Sequence, residues 1–306
     1  MRAMGLLEDK VVVVTGAGRG IGRGEALECA RQGGAVVVAE FDGDAGEEVA
    51  KEIVAGGGRA VSVPGDVADA DVADALVTAA VENFGALDAV INNAGILRDR
   101  TLVKMSDAEW DDVIRVHLRG HFAPTRAACR YWRESSRPGH LVHTASTSGI
   151  LGNFGQSNYG AAKAGIAAFS TITAMEMARY NITSNAIAPS ALTRMTESLL
   201  PPDVREARQA MLDRGDFDFF DPENVAPFVT YLASDASAHI SGKVFGVQGD
   251  SIELYQPFTS VAEIRGDGHR WDPEAIPERM AELFDAAGID PAPENMMARS
   301  RHKIIS

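Results

Sequence analysis

Tyr159 and Lys163 stand four residues apart in an Ala-rich stretch, so on a helix they share one face. Ser146 lies 13 residues before Tyr159, just after the apolar run Leu141-Val142-His143. That run reads as a buried strand ending at Ala145. A hydroxyl at a strand end, facing a phenol backed by an ammonium, suits the movement of a proton on or off a carbonyl oxygen. A free phenol titrates near ~10 and is a poor base at neutral pH. A lysine charge beside it favours the phenolate and brings it toward the working range. Taken alone, Tyr-x-x-x-Lys is also what a helix with a stray Tyr and Lys looks like, so the surrounding chain must decide.

A second group of residues could hold an anion. Val11 to Val14 is a short apolar run, and Thr15-Gly16-Ala17-Gly18-Arg19-Gly20-Ile21-Gly22 follows it and opens a helix to about Arg31. In this strand–turn–helix context Gly16, Gly20 and Gly22 allow a tight turn and let a pyrophosphate approach the helix N-terminus. The alternative is a merely tight turn. Glu40 ends the second strand, 18 residues after Gly22. A carboxylate there accepts hydrogen bonds from a ribose diol and repels a 2′-phosphate, which favours NAD. Arg19 pulls the other way, because a guanidinium in the loop can meet the 2′-phosphate of NADP. No Arg or Lys follows Glu40 at Phe41 or Asp42, so the balance predicts NAD rather than NADP. Asp66 and Val67 are expected to border the adenine, unless Asp66 is a simple helix-entry residue.

The elements that must carry these residues alternate regularly. Strands are expected at 11–14, 35–39, 60–63, 89–91, 141–145, 183–187 and 244–247, with helices after the Gly-rich loop to about 31, at about 45–55, 69–84 and 106–134, around Tyr159, and at about 222–234. Ser106 with Glu109 three residues on forms a capping box at the start of the long middle helix. Strands alternating with helices give an α/β fold, a doubly wound parallel sheet of the Rossmann type. Its ligand crevice opens at the carboxyl ends of the strands. One Rossmann-type domain is expected over residues 1–255, with a substrate lid at about 194–220 and a C-terminal extension at 256–306.

The chain has 306 residues, 45% hydrophobic and 24% charged, which suits a globular protein with ample core. Its net charge of −14 argues against nucleic acid and anionic membranes as main partners. Cys29 and Cys129 are too few for a disulfide scaffold and read as small core residues in a reducing compartment. No run reaches the ~20 apolar residues of a membrane span. Glu8-Asp9 come too early for a signal peptide, and the final residues are not a peroxisomal address. A cytoplasmic location is expected, and no metal site.

As a set, Thr15 to Gly22, Asn92-Asn93-Ala94-Gly95, Ser146, Tyr159-x-x-x-Lys163 and the Ala188-Pro189 turn resemble the short-chain dehydrogenase/reductase family, in order and spacing, over roughly residues 5 to 250. The resemblance implies a nicotinamide-dependent alcohol/carbonyl oxidoreductase. It implies Tyr159 as general acid/base, Lys163 as its tuner and holder of the nicotinamide ribose, and Ser146 as hydrogen-bond partner of the reacting oxygen. Asn92, Asn93, Ala94 and Gly95 would support the cofactor and the fourth strand. Pro189, Leu192 and Thr193 would meet the carboxamide, and the protein would be a homotetramer or homodimer sharing the middle helix and the Tyr159 helix.

The sequence departs from the family at three places. His117 stands where the family places an Asn that anchors a proton-passing water. It would either take that role, adding its own pH dependence, or be a buried histidine satisfied by a carbonyl. Pro189-Ser190 replaces a Pro-Gly turn, and Gln248-Gly249-Asp250 replaces Asp-Gly-Gly. The segments 116–120, 152–156 and 188–191 are similar to the (3R)-hydroxyacyl-CoA dehydrogenase units of peroxisomal multifunctional enzymes and to bacterial relatives acting on acyl-CoA or steroid substrates. That similarity implies a secondary alcohol as substrate. Arg205 and Arg208, three apart, would meet CoA phosphates or pair with local acids. In the extension, Ile276, Met280, Leu283 and Phe284 form one helical stripe that needs a surface to cover.

Overall fold

The computed structural model describes residues 5–192, 202–256, 258–266 and 268–292. Four valines and a threonine form β1 (Val11–Thr15), buried throughout. β2 (Ala35–Glu40) is buried except at its last residue, while β3 (Arg59–Pro64) is half-buried. β4 (Ala89–Asn92) and β5 (Gly139–Thr144) are wholly buried, as is β6 (Ile182–Pro189) up to its terminal proline. β7 (Val244–Gln248) and β8 (Ser251–Tyr255) complete an eight-stranded sheet in the order β3-β2-β1-β4-β5-β6-β7-β8. Near-continuous apolar strands are what a sheet covered on both faces requires. The pairings from β3 to β7 are parallel, with Val12 opposite both Val36 and Ala89. β8 was not expected: it follows β7 after Gly249-Asp250, a connection too short for anything but an antiparallel neighbour.

Helices α1 (Gly20–Arg31), α2 (Gly43–Ala55) and α3 (Ala70–Phe84) follow β1, β2 and β3. Two apolar layers result, one holding Val12, Val14, Ile91 and Leu232, the other Val13, Leu76, Leu141 and Trp132. Trp132 is fully buried, donates from its indole to Leu87 O at 2.8 Å, and lies against Gly139, where a Cβ would sit 2.3 Å from the ring. The strand order reverses between β1 and β4, and this is where an open sheet of this kind forms its crevice.

The expected single helix over 106–134 is three pieces. They are α4 (Asp107–Ile114), a π-turn at Arg115–Arg119, and α5 (Gly120–Ser135). The capping box at Ser106 is present. Pro124 has no N–H for the carbonyl of Gly120, so the regular ladder is already weakened just beyond the π-turn. After β5 come a short helix α6 (Thr147–Leu151) and the long α7 (Ser157–Met177). Helix α8 (Pro202–Asp213) and helix α9 (Ala226–Leu232) precede β7.

The chain divides into two units, 1–254 and 255–306. In the second, helix α10 (Ile276–Ala287) ends at Gly288 in the left-handed conformation, and the Arg279 guanidinium lies 5.6 Å from the Trp271 ring centroid. Cys29 and Cys129 are free and buried, and burial pushes both thiols up to about 12. Among the described residues no helix is long and apolar enough to cross a membrane, and no group of three or more His, Cys, Asp or Glu could hold a metal ion.

Candidate active site

Ser146, Tyr159 and Lys163 come together at the carboxyl end of β5. Ser146 caps α6, its Oγ accepting from Ser148 N at 3.1 Å, and it also hydrogen-bonds the Tyr159 hydroxyl. Lys163 is buried, and its Nζ donates to Thr144 O at 2.5 Å and lies 5.5 Å from the Tyr159 ring centroid. Burial draws the Lys163 ammonium down to about 7, against a smaller upward pull from the Glu25 carboxylate. The phenol behaves differently from the sequence expectation. Burial raises Tyr159 above its ordinary value of 10, partly offset by the Ser146 hydrogen bond, and Asp99 adds to the rise. Burial outweighs the Ser146 bond, and the Lys163 ammonium reaches the β5 carbonyl rather than the hydroxyl.

Asn158, unmarked in the sequence reading, fixes the start of α7. It is fully buried, donates from Nδ2 to Arg98 O at 3.1 Å and Glu109 O at 3.0 Å, and accepts from Tyr159 N at 2.7 Å. It thereby ties α7 to the loop after β4 and to α4. An Asn in a helix's first turn was the available signal.

His117 lies in the π-turn, edge-on to Tyr159 with centroids 5.1 Å apart. Its Nε2 is 2.7 Å from Ile96 O and 3.0 Å from Ile96 N, and its Nδ1 has no partner. Of the two sequence readings, the carbonyl-satisfied histidine describes Nε2. Burial, aided by the Lys163 charge, holds it down to about 3, so its titration adds no pH dependence near neutrality. Two further imidazoles continue inward. His121 Nδ1 is 2.7 Å from His117 O, and His121 stacks on His143 at 5.8 Å. His143 Nδ1 is 3.4 Å from Asn92 Nδ2, which donates to Thr125 Oγ1 at 3.1 Å. Asn92 therefore braces β4 against α5. The i, i+4 spacing of His117 and His121, and the shared strand parity of Leu141 and His143, were the legible traces of this cluster.

The Gly-rich loop is shaped for close approach. Gly16 and Gly20 have φ of +63° and +55°, and a Cβ on Gly22 would sit 2.3 Å from Gly16 O. Asn93 stitches the loop to β4, donating from Nδ2 to Thr15 O at 3.1 Å and Gly16 O at 3.3 Å. Asn93 N and Ala94 N both donate to Thr15 Oγ1. Gly95 faces His117, whose Cε1 would be 2.3 Å from an added Cβ. Ile21 packs on the core.

Glu40 is held by the loop it flanks. Its Oε2 accepts from Gly18 N at 2.8 Å, and Oε1 from Phe41 N at 3.0 Å. Arg19 pairs with Asp42 at 2.6 Å. Asp66 accepts from Ala68 N at 2.9 Å and pairs with Arg115, so both of its oxygens are engaged within the protein, and Val67 beside it is buried. Pro189 ends β6, and Leu192 N donates to Phe220 O at 2.9 Å. Thr193 and most of the lid's first half lie outside the described residues. In its second half Arg208 pairs with Asp218, the local-acid alternative.

These parts fit an anionic dinucleotide. Helix α1 has no side-chain cap at Arg19 and no acid in its first turn, in contrast to α2 and α4, so its first N–H groups have no side chain competing for them. The short chain dehydrogenase family profile matches residues 10–203. The chain belongs to the short-chain dehydrogenase family. As a member it is an oxidoreductase acting on CH–OH groups with a nicotinamide cofactor. It is 42% identical to hydroxyacyl-CoA dehydrogenase ChsB1 of Mycobacterium tuberculosis, over 93% of this chain and 91% of that protein. It is 40% identical to the peroxisomal multifunctional enzyme type 2 of Mus musculus over 91% of this chain, but spans only 37% of that longer protein. A crystal structure of a short chain dehydrogenase from Mycobacterium avium superposes with a TM-score of 0.84 at 42% identity, covering 94% of this chain and 99% of that one.

Proposed function

We propose that this short-chain dehydrogenase is an NAD(H)-dependent 3-hydroxyacyl-CoA dehydrogenase. The observation that carries the chemistry is the convergence of Ser146, Tyr159 and Lys163 beside the Gly-rich loop. The substrate class rests on the names of the relatives above. NAD rests on Glu40, an acid at the end of β2 whose charge opposes a 2′-phosphate.

When bound, the nicotinamide supplies or accepts the hydride at the carbinol carbon. The protein's own groups handle the proton and the oxygen. Ser146 and Tyr159 hydrogen-bond the reacting oxygen, and Tyr159 takes the hydroxyl proton as the alcohol becomes a ketone. Lys163, charged at and below about pH 7, stabilises the phenolate and holds the ribose. Burial raises the phenol, and the Ser146 hydrogen bond pulls the other way, toward the phenolate. Asn93, Ala94 and Gly95 wall the nicotinamide side, Asp66 and Val67 border the adenine, and Pro189 and Leu192 meet the carboxamide. Two loops at the substrate side are joined where Arg100 N donates to Gly155 O. They carry the exposed Leu102, Val103 and Phe154, an apolar rim that suits an acyl chain. The protein assembles as a homodimer or homotetramer through α5 and α7, whose outward faces expose Phe122, Ile172 and Met175.

A second reading, an NADPH-dependent ketone or 3-oxoacyl reductase, draws on Arg19. A hydroxysteroid is the rival substrate. The test is NADH formation by the purified protein with a (3R)-3-hydroxyacyl-CoA, beside NADP and beside a hydroxysteroid. Turnover with NAD and the acyl-CoA is expected. Activity only on the steroid, or only with NADP, would contradict the proposal while leaving the family and its chemistry in place.

A further inference from the structure

Arg19 is the cation of the Gly-rich loop that a 2′-phosphate would seek, and it is already engaged. Its Nη2 donates to Asp42 Oδ2 at 2.6 Å, with the two side chains 52% and 42% exposed. Asp42 is held in place by a second bond: as the N-cap of α2, its Oδ1 accepts from Ala45 N at 3.4 Å. Its main-chain N–H, in turn, donates to Glu40 Oε1 at 3.3 Å. One residue thus contacts both Arg19 and Glu40. The next cation along α1, Arg23, is taken by Glu52 at 2.8 Å and Glu223 at 3.6 Å and offers no substitute.

We propose that Asp42 is a cofactor-specificity residue that acts through Arg19. It holds the guanidinium at the start of α2, so that the one basic group of the loop does not recruit a 2′-phosphate. This rests on the reading of Glu40 and the Gly-rich loop as an NAD site. It also explains how a chain with an arginine in that loop can still prefer NAD. Glu40 excludes the phosphate by its charge, and Asp42 removes the cation that would have invited it.

The informative variant is Asp42→Asn, which keeps an oxygen for the Ala45 N–H and deletes the charge that holds Arg19. kcat/KM for NADP is expected to rise about fivefold, the upper end of what an exposed ion pair of ordinary strength is worth, with NAD changed by less than about twofold. Calorimetric binding of 2′,5′-ADP against 5′-ADP should show the same gain without any turnover. In an Arg19→Ala background the Asp42→Asn change should give little or no gain for either 2′-phosphorylated ligand. An equal gain in both backgrounds would mean that Asp42 acts by direct repulsion and would overturn the proposal, as would no gain in either. The wild type separates the two levels of inference. If it prefers NADP, the Glu40 reading fails and this proposal with it. If it prefers NAD and Asp42→Asn changes nothing, only the present proposal fails.

Discussion

Lys163 and Glu25 show how burial rather than pairing sets the protonation states around Tyr159. Glu25 on α1 is fully buried, and neither carboxyl oxygen has a hydrogen-bond partner. Desolvation pushes it up to about 8, against a smaller opposing pull from Lys163. The folded protein therefore keeps this proton between about pH 4.5 and 8, where the unfolded chain gives it up. Stability contributed in that window is lost as pH rises. Glu25→Gln, which mimics the protonated acid, should leave the melting temperature nearly unchanged at pH 5 and raise it at pH 8. Thermal melts of both proteins across that range test this, and a variant destabilised equally at every pH would contradict it. The meeting of Ser146, Tyr159 and Lys163, the trio proposed as catalytic, was legible because their residue types and spacings are those the chemistry calls for. Glu25 was not, since a Glu within a helix reads as an ordinary surface acid until the packing of α1 is known.

At the level of elements, the π-turn at Arg115–Arg119 is what aims His117 at the strand end after β4. Gly95 is small because the imidazole occupies the space a side chain would need. Gly95→Ala should push the ring away and disturb the Ile96 contacts, lowering kcat/KM at least tenfold while costing about 1–3 kcal/mol of stability. Denaturant unfolding and steady-state kinetics on one preparation would measure both. Full activity would mean that His117 does not position the site. At the head of the same helix, Ser106→Ala removes the capping box and should cost about 1 kcal/mol with activity intact. A change well below that in denaturant unfolding would show the cap to be dispensable. The parallel strands and their helices were readable from apolar runs and turn residues. The break in the middle helix was not, because apolar periodicity cannot distinguish a single inserted residue from a continuous turn. β8 was missed because Ser251–Tyr255 alternates between half-buried and exposed positions at the sheet edge and lacks the apolar run of the inner strands.

For the molecule as a whole, three imidazoles closed inside the fold make it sensitive to acid. Burial holds His117 and His143 down to about 3 and His121 well below its ordinary value. The unfolded chain binds these protons below about pH 6.5 and the folded one does not, so stability is lost as pH falls through that value, by up to about 1.4 kcal/mol per histidine per pH unit. Glu25 works in the opposite sense between about pH 4.5 and 8, and Lys163, drawn down to about 7, again favours the folded state as pH rises above that value. Replacing His143 by Gln should flatten the acid limb, and an unchanged limb would place the acid sensitivity elsewhere.

The central claim is that Tyr159 moves the proton in a site otherwise complete without its hydroxyl, and Tyr159→Phe tests it most directly. NADH affinity, measured by fluorescence titration, should stay within about threefold of wild type, while kcat for hydroxyacyl-CoA oxidation falls by about 10²–10⁴, the usual worth of a general acid/base. A variant that binds NADH and still turns over at the wild-type rate would contradict the account.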